Sequence, residues 1–262
     1  MRALIDYRVN LIWWILLSFV FYTVAANVAW YYRRPRPGWI GRWIETLRGW
    51  PASNWVLEGL RLLYYLGLPY LALLRGVTNP RLMGLAGLDW IQGLGMGMAL
   101  SGGAFLLLAL GWWYHLRQVG ALYPVASGPC PRWRQELSRP WGWALLIPPV
   151  VYWQAHWAFY RSGPILVLDD PYFGTFVGLA LVILEWWTNP AWRESLGQVG
   201  RVEKTLMTTS LAFVTAIIYF FTANFWLLVL IHLALWAGLL RLITLWYGKM
   251  VPDLRDTRSS IG

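Results

Sequence analysis

Charged side chains are scarce in this sequence. They make up 13% of its 262 residues, while 58% are hydrophobic; a soluble domain has roughly a quarter of its residues charged. That deficit excludes an ordinary soluble globular protein. Cysteine is scarcer still. Cys130 stands alone, so neither an internal disulfide nor a cysteine-rich metal cluster can be built from this chain. It falls in the stretch SGPCPRWRQ, on the side read below as cytoplasmic, where thiols stay reduced. Lysine occurs only as Lys204 and Lys249, so almost all positive charge is arginine, which suits bidentate contacts with lipid phosphates. No zinc-finger or RNA-recognition spacing accompanies the net charge of +10, and a nucleic-acid partner is excluded on that ground. Internal repeats are also missing.

What the sequence does have is long apolar runs. A run of about 20 residues crosses a bilayer, and residues 9–32, 90–116 and 140–160 each reach that length without Asp, Glu, Lys or Arg. The first is too long for the short apolar core of a cleaved signal peptide and is read as a retained anchor. Residues 55–74 carry Glu58 and Arg61, three apart on one helical face, where they can pair near the membrane boundary. Residues 171–184 are short, but Glu185-Trp186-Trp187 supplies an aromatic belt where the chain would leave the lipid. From 205 to 240 the chain is uncharged, enough for two helices if Thr222-Ala223-Asn224 makes a tight turn. The expected fold is all-α: a polytopic transmembrane helical bundle of about seven spans, occupying residues 1–250, with a short cytoplasmic tail at 251–262.

Charge orients the bundle. With seven spans, five basic residues fall on the side of the N-terminus, Arg161 among them, and sixteen on the other. Arginine and lysine gather in cytoplasmic loops, so the N-terminus is predicted outside and the C-terminus cytoplasmic. The basic loops then face the anionic lipids of the cytoplasmic surface. Trp39, Ile40, Trp43, Ile44, Leu47 and Trp50 share one stripe, with Arg42, Glu45 and Arg48 off it. This predicts an amphipathic helix lying in the interface over 39–50.

Two features bear on packing. Gly93 and Gly97, then Ala99 and Gly103, have the small-xxx-small spacing that lets helices approach closely in lipid; they serve packing within the bundle or contact with another subunit. Pro148-Pro149 is expected to kink the fourth span.

Buried ionisable groups are the best pointers to function in a membrane. Of three histidines, His115 follows Trp112-Trp113-Tyr114 at a span end and reads as an interface residue. His156 and His232 lie inside spans, at similar depth in the outer half of the bilayer. Such a pair can bind a metal, contact a pigment or quinone, or simply hydrogen-bond to its surroundings, and both are candidate cofactor-binding residues. A catalytic metal site needs a third ligand and a general base at the same depth. Glu58, Glu136 and Glu185 are expected at the cytoplasmic end, leaving only Asp169 and Asp170 on the histidines' side.

The stretch SLAFVTAIIYFFTANFWLLVLIHLALW resembles the last two helices of the CAAX protease and bacteriocin-processing (CPBP) family of intramembrane metalloproteases, in which a TGNLW-like turn precedes a helix bearing H-x-x-x-N. By that resemblance His232 matches the motif histidine, and Trp236 stands where the asparagine belongs. The family's F-x-x-x-H motif corresponds to Tyr152 and His156, with tyrosine in place of phenylalanine. Its E-E-x-x-x-R motif has only an echo in RQELSRP, where Gln135 replaces the first glutamate and Arg139 comes one residue early. The resemblance implies a helical bundle that has lost its peptidase chemistry. The expectation is a non-catalytic membrane protein of the bacterial inner membrane, an accessory or structural subunit among other membrane proteins, with no catalytic or metal-ligating residue assigned. The alternatives are an active metal-dependent protease using His156, His232 and Asp169 or Asp170, and a pigment- or quinone-binding accessory subunit.

Overall fold

The structure is a computed structural model, and it describes residues 2–34, 37–119, 130, 135 and 139–259. Most of the described residues are helical, and none of them is in a strand. Ten α-helices are defined: α1 (Arg2–Arg33), α2 (Gly38–Gly49), α3 (Ser53–Leu62), α4 (Leu68–Leu74), α5 (Trp90–Val119), α6 (Ile147–Leu168), α7 (Pro171–Thr188), α8 (Pro190–Leu196), α9 (Val199–Thr222) and α10 (Phe225–Ser259). A π-helical turn, Leu63–Gly67, joins α3 to α4, and a 3-10 turn, Gly142–Leu146, leads into α6.

Among the described residues, five segments are long and apolar enough to cross a membrane: Arg8–Arg33, Trp55–Leu74, Trp90–Val119, Arg201–Thr222 and Phe225–Lys249. That is the makeup of a multi-pass membrane protein. The outward face of α1, with Trp13, Leu17, Val24 and Val28 all exposed, is what a helix in contact with lipid presents.

The chain divides into two compact units, one formed by residues 1–86 and 152–193, the other by 87–151 and 194–262. In the first, α6 is central. Residues 154–164 are buried on every side, so Gln154, His156, Arg161 and Ser162 point into protein and need no lipid-facing surface. Helix α6 continues to Leu168, and Arg161 is therefore an interior residue at 3% exposure, not the loop cation expected from its place in the charge pattern. The two prolines Pro148-Pro149 also fall differently. They occupy the first turn of α6, where a missing N–H costs no hydrogen bond, so they start the helix instead of kinking it; the proline in its interior is Pro164.

Helix α7 returns antiparallel to α6 after a turn at Asp169 and Asp170. The contact is close because α7 places Gly174 and Gly178 against Ile165 and Arg161. Trp186 is buried and meets Trp157 at 6.0 Å between ring centroids, whereas its neighbour Trp187 is exposed, so only one half of the supposed aromatic belt faces outward. Glu58 and Arg61 form the anticipated pair, with Nη1 2.7 Å from Oε1. Both side chains are about half exposed, and such a pair adds little stability. Helix α2 forms where the amphipathic pattern predicts it, with Trp39, Trp43 and Leu47 exposed along one stripe.

The second unit packs α5, α9 and α10 together. Leu228, Leu235, Leu239 and Ile243 of α10 recur at helical spacing and are buried. Gly93 and Gly97 of α5 face Leu227 and Ile231 of α10, while Gly103 has open space beside it. The first small pair therefore serves internal packing and the second faces outward. The expected turn between α9 and α10 is present: Ala223 is left-handed at φ 43°, and Asn224 caps α10 by accepting from the Leu227 N–H at 3.0 Å. A left-handed alanine is strained. The substitution Ala223→Gly is expected to raise stability by about 0.5–1 kcal/mol, measurable as a higher midpoint of thermal unfolding in detergent. The α10 backbone stays helical to Ser259, through the segment assigned to the tail.

Candidate functional site

The polar centre of the first unit is built by three elements around His156 of α6. His156 Nε2 lies 2.8 Å from Glu185 Oε2 of α7, and both side chains are at most 2% exposed. The second carboxylate oxygen, Glu185 Oε1, accepts from the Tyr64 hydroxyl at 3.2 Å. Tyr64 Oη is 3.2 Å from Ser18 Oγ of α1, and Tyr160 Oη donates to that Ser18 Oγ at 3.3 Å. A carboxylate only accepts, which fixes the direction of the whole chain. Tyr160 donates to Ser18, Ser18 to Tyr64, Tyr64 to Glu185, and His156 donates to Glu185 from the other side.

Local structure explains how these groups meet. His156 stands 13 residues before Asp169, and Glu185 stands 15 residues after Asp170. In an antiparallel hairpin those positions are level. The expectation that Glu185 sits away from His156 is overturned, because α6 runs past Tyr160 to Leu168 and carries its turn well beyond His156. Tyr64 arrives through the π-helical turn, and such turns are rare and concentrate at functional sites. Tyr64 and Tyr65 of that turn, with Tyr160, ring the imidazole at centroid distances of 5.0, 5.2 and 4.3 Å.

Asp169 and Asp170, the acids considered for a protease, form the hairpin turn about 20 Å along α6 from His156. Asp170 Oδ1 accepts from the N–H groups of Tyr172 and Phe173 at 2.7 and 3.0 Å, capping α7. Asp170→Ala is expected to cost about 1 kcal/mol and Asp170→Asn almost nothing, a contrast that thermal unfolding would read. Among the described residues no three His, Cys, Asp or Glu side chains converge as a metal site would require. Glu136 lies outside the described residues.

His232 belongs to the second unit. It is fully buried on the packed face of α10, its ring 6.1 Å from that of Trp236, the residue in the motif's asparagine position. His115 lies on α5 with its ring edge-on to Trp112 at 5.4 Å. Cys130 is buried, and its backbone N–H donates to Glu203 Oε2 at 2.7 Å, which ties that point of the chain to α9.

Sequence reasoning singled out His156 but missed Ser18, Tyr64, Tyr160 and Glu185 as its partners. Hairpin arithmetic about Asp169-Asp170 would have found Glu185. Nothing in Leu63-Tyr64-Tyr65-Leu66-Gly67 announces a π turn. No protein-family model, no curated protein and no solved structure matches this chain.

Proposed function

We propose that this chain is a non-catalytic, accessory or structural subunit of a larger membrane assembly, a degenerate relative of the CPBP intramembrane proteases that resides in the bacterial inner membrane. One observation carries the non-catalytic reading: both oxygens of Glu185 are occupied, one by His156 and one by Tyr64. A carboxylate held this way is no free base for activating water. Apart from His156 Nδ1, these polar groups satisfy one another and lock α1, α6, α7 and the π turn together.

The proposed topology has seven spans, with α6 and α7 added to the five apolar segments, the N-terminus outside and the C-terminus cytoplasmic. It is supported by α1 and α7 running in the same direction, as the first and fifth members of an alternating series do, because both run antiparallel to α6: Tyr160 reaches Ser18 and Gly163 lies against Ile15 and Leu11, while Arg161 and Ile165 lie against Gly178 and Gly174. Arg34 stacks on Trp30 at 3.9 Å and Arg117 on Trp113 at 4.1 Å. Those are the arginine–aromatic anchors of a cytoplasmic interface with anionic lipids. The outward small face of α5 at Ala99 and Gly103 fits contact with a partner helix.

A second reading, contact with a pigment or quinone at His156, is favoured by His156 Nδ1, which is buried with no hydrogen-bond partner among the described residues. A histidine oriented by a carboxylate at one nitrogen offers the other as a ligand. Purification in mild detergent separates the readings. Stoichiometric membrane-protein partners on metal-free, colourless protein are the expected result. A visible absorption band would favour the cofactor reading instead. One equivalent of zinc, lost in His232→Ala, would favour the protease.

A further inference from the structure

The α1–α7 interface carries a line of polar side chains that the buried dyad alone does not require. On α1 they are Ser18, Tyr22, Thr23 and Asn27, and on α7 Glu185 and Thr188, followed by Asn189 just past its end. They are bonded across the interface: Thr23 Oγ1 lies 3.0 Å from Thr188 Oγ1, Asn189 Nδ2 donates to Tyr22 Oη at 3.0 Å, and Asn27 Nδ2 donates to the Thr188 carbonyl at 3.2 Å. Thr188 Oγ1 donates in turn to the Glu185 carbonyl at 2.7 Å. Burial is graded along this line. Ser18 and Glu185 are buried, Tyr22, Thr23, Thr188 and Asn189 are half-buried, and Asn27 is exposed. Asn27 stands six residues before Arg33, about 9 Å along α1.

In the other direction the interior is closed. Towards Asp169, α7 presses Gly174 and Gly178 onto the α6 backbone, with any added Cβ within 2.7 Å of it. On α1 the side chains of Ile15 and Leu11 fill the space against Gly163 of α6. A seam of hydroxyl and amide groups between membrane helices is costly unless it serves protein or water, and an ionisable pair inside a bundle marks a proton or substrate path.

We propose that the α1–α7 seam is a one-sided, water-accessible path that exchanges protons between the aqueous face at Asn27 and Asn189 and the His156–Glu185 dyad. Hydroxyls accept a proton on one lone pair and release another; Tyr64 and Ser18 supply the steps next to the carboxylate, and water in the seam bridges from them to Thr23 and Thr188, whose own hydroxyls rest on the Phe19 and Glu185 carbonyls. Each proton that settles on the dyad leaves by the same route, with no net charge moved across the membrane. The titratable groups facing the dyad are Tyr22 from α1, Tyr64 and Tyr65 from the π turn, and Tyr160 from α6. Arg61 of α3 is engaged with Glu58 on the exposed side.

Cysteine accessibility tests the path in a Cys130→Ser background, using a membrane-impermeant cationic thiosulfonate on membrane vesicles. Thiols react as thiolates and need water to ionise, so Thr23→Cys and Asn27→Cys are expected to react at least about tenfold faster than Val24→Cys and Val28→Cys, which lie beside them on the outward face of α1. A second measurement uses nearly isosteric changes. In protein labelled with ¹⁵N-histidine, hydrogen–deuterium exchange at His156, assigned with His156→Gln, is expected to slow about tenfold in Thr23→Val/Thr188→Val when hydroxyls carry the protons. Equal reactivity of Thr23→Cys and Val24→Cys, or unchanged exchange in the double valine variant, would overturn the proposal. Neither outcome bears on whether the chain travels with partner subunits.

Discussion

Glu185→Leu is expected to lower the stability of the protein in detergent by about 3 kcal/mol, because it strips two buried donors, His156 and Tyr64, of their acceptor at once. The magnitude lies between two limits. Breaking a buried ion pair in a soluble protein costs about 3–5 kcal/mol, while hydrogen bonds between membrane helices average nearer 1, since the unfolded chain in lipid also finds partners. Two lost bonds and an orphaned imidazole favour the middle of that range. The companion variant Glu185→Leu/His156→Phe removes both halves of the dyad and fills their volume, so it should cost less than the sum of its parts, with a coupling of about 1–2 kcal/mol in a double-mutant cycle. Thermal or denaturant unfolding of the four proteins reads this directly. Strict additivity would mean that the 2.8 Å contact contributes nothing to the fold.

Gly178→Leu is expected to be worse still. A Cβ built on Gly178 meets Arg161 Cα at 2.7 Å, and one on Gly174 meets Ile165 Cα and N at 2.6 Å. Those neighbours are backbone atoms, which cannot swivel aside as the end of a side chain can. The hairpin must open along its length, and overpacking that ordinarily costs about 1–3 kcal/mol here also separates His156 from Glu185. A loss exceeding about 3 kcal/mol, or failure to recover folded protein, is the expected result. Gly103→Leu has open space around it and is expected to stay within about 0.5 kcal/mol of the parent. Size-exclusion profiles after a heating series distinguish the two variants, and a folded Gly178→Leu with unchanged thermal midpoint would refute the close crossing.

Much of the architecture was readable from the residues. The apolar runs located the long helices, the three-residue spacing of Glu58 and Arg61 foretold their ion pair, and Thr222-Ala223-Asn224 marked the break between α9 and α10. Gly93 and Gly97 were legible as a packing face. The readings that failed share one cause: helix ends were placed by counting apolar residues. Ending the fourth span at Tyr160 made Arg161 a loop residue, put Pro148-Pro149 in mid-helix, and raised His156 toward the surface. Burial by protein, which lets α6 carry Arg161 and His156 without facing lipid, leaves no signature in hydropathy, because hydropathy assumes lipid on every side. The candidate site was half legible for the same reason. A lone histidine in an apolar run stands out, whereas Tyr64 and Tyr160 look like ordinary aromatic residues until another helix brings Ser18 and Glu185 beside them.

The π turn at Leu63–Gly67 makes the α3–α4 rod one residue longer than a regular α-helix of the same rise. A single-residue deletion inside that turn would let the rod revert to regular 3.6-residue winding, with no proline or charge altered. The two halves would then rotate against each other by about 100°, aiming the Tyr64 phenol away from Glu185 while leaving the Glu58–Arg61 pair, wholly on one half, undisturbed. Shortening the chain by one residue at this spot is thus a sharper perturbation of the buried network than many point substitutions, and it leaves composition and hydropathy essentially unchanged.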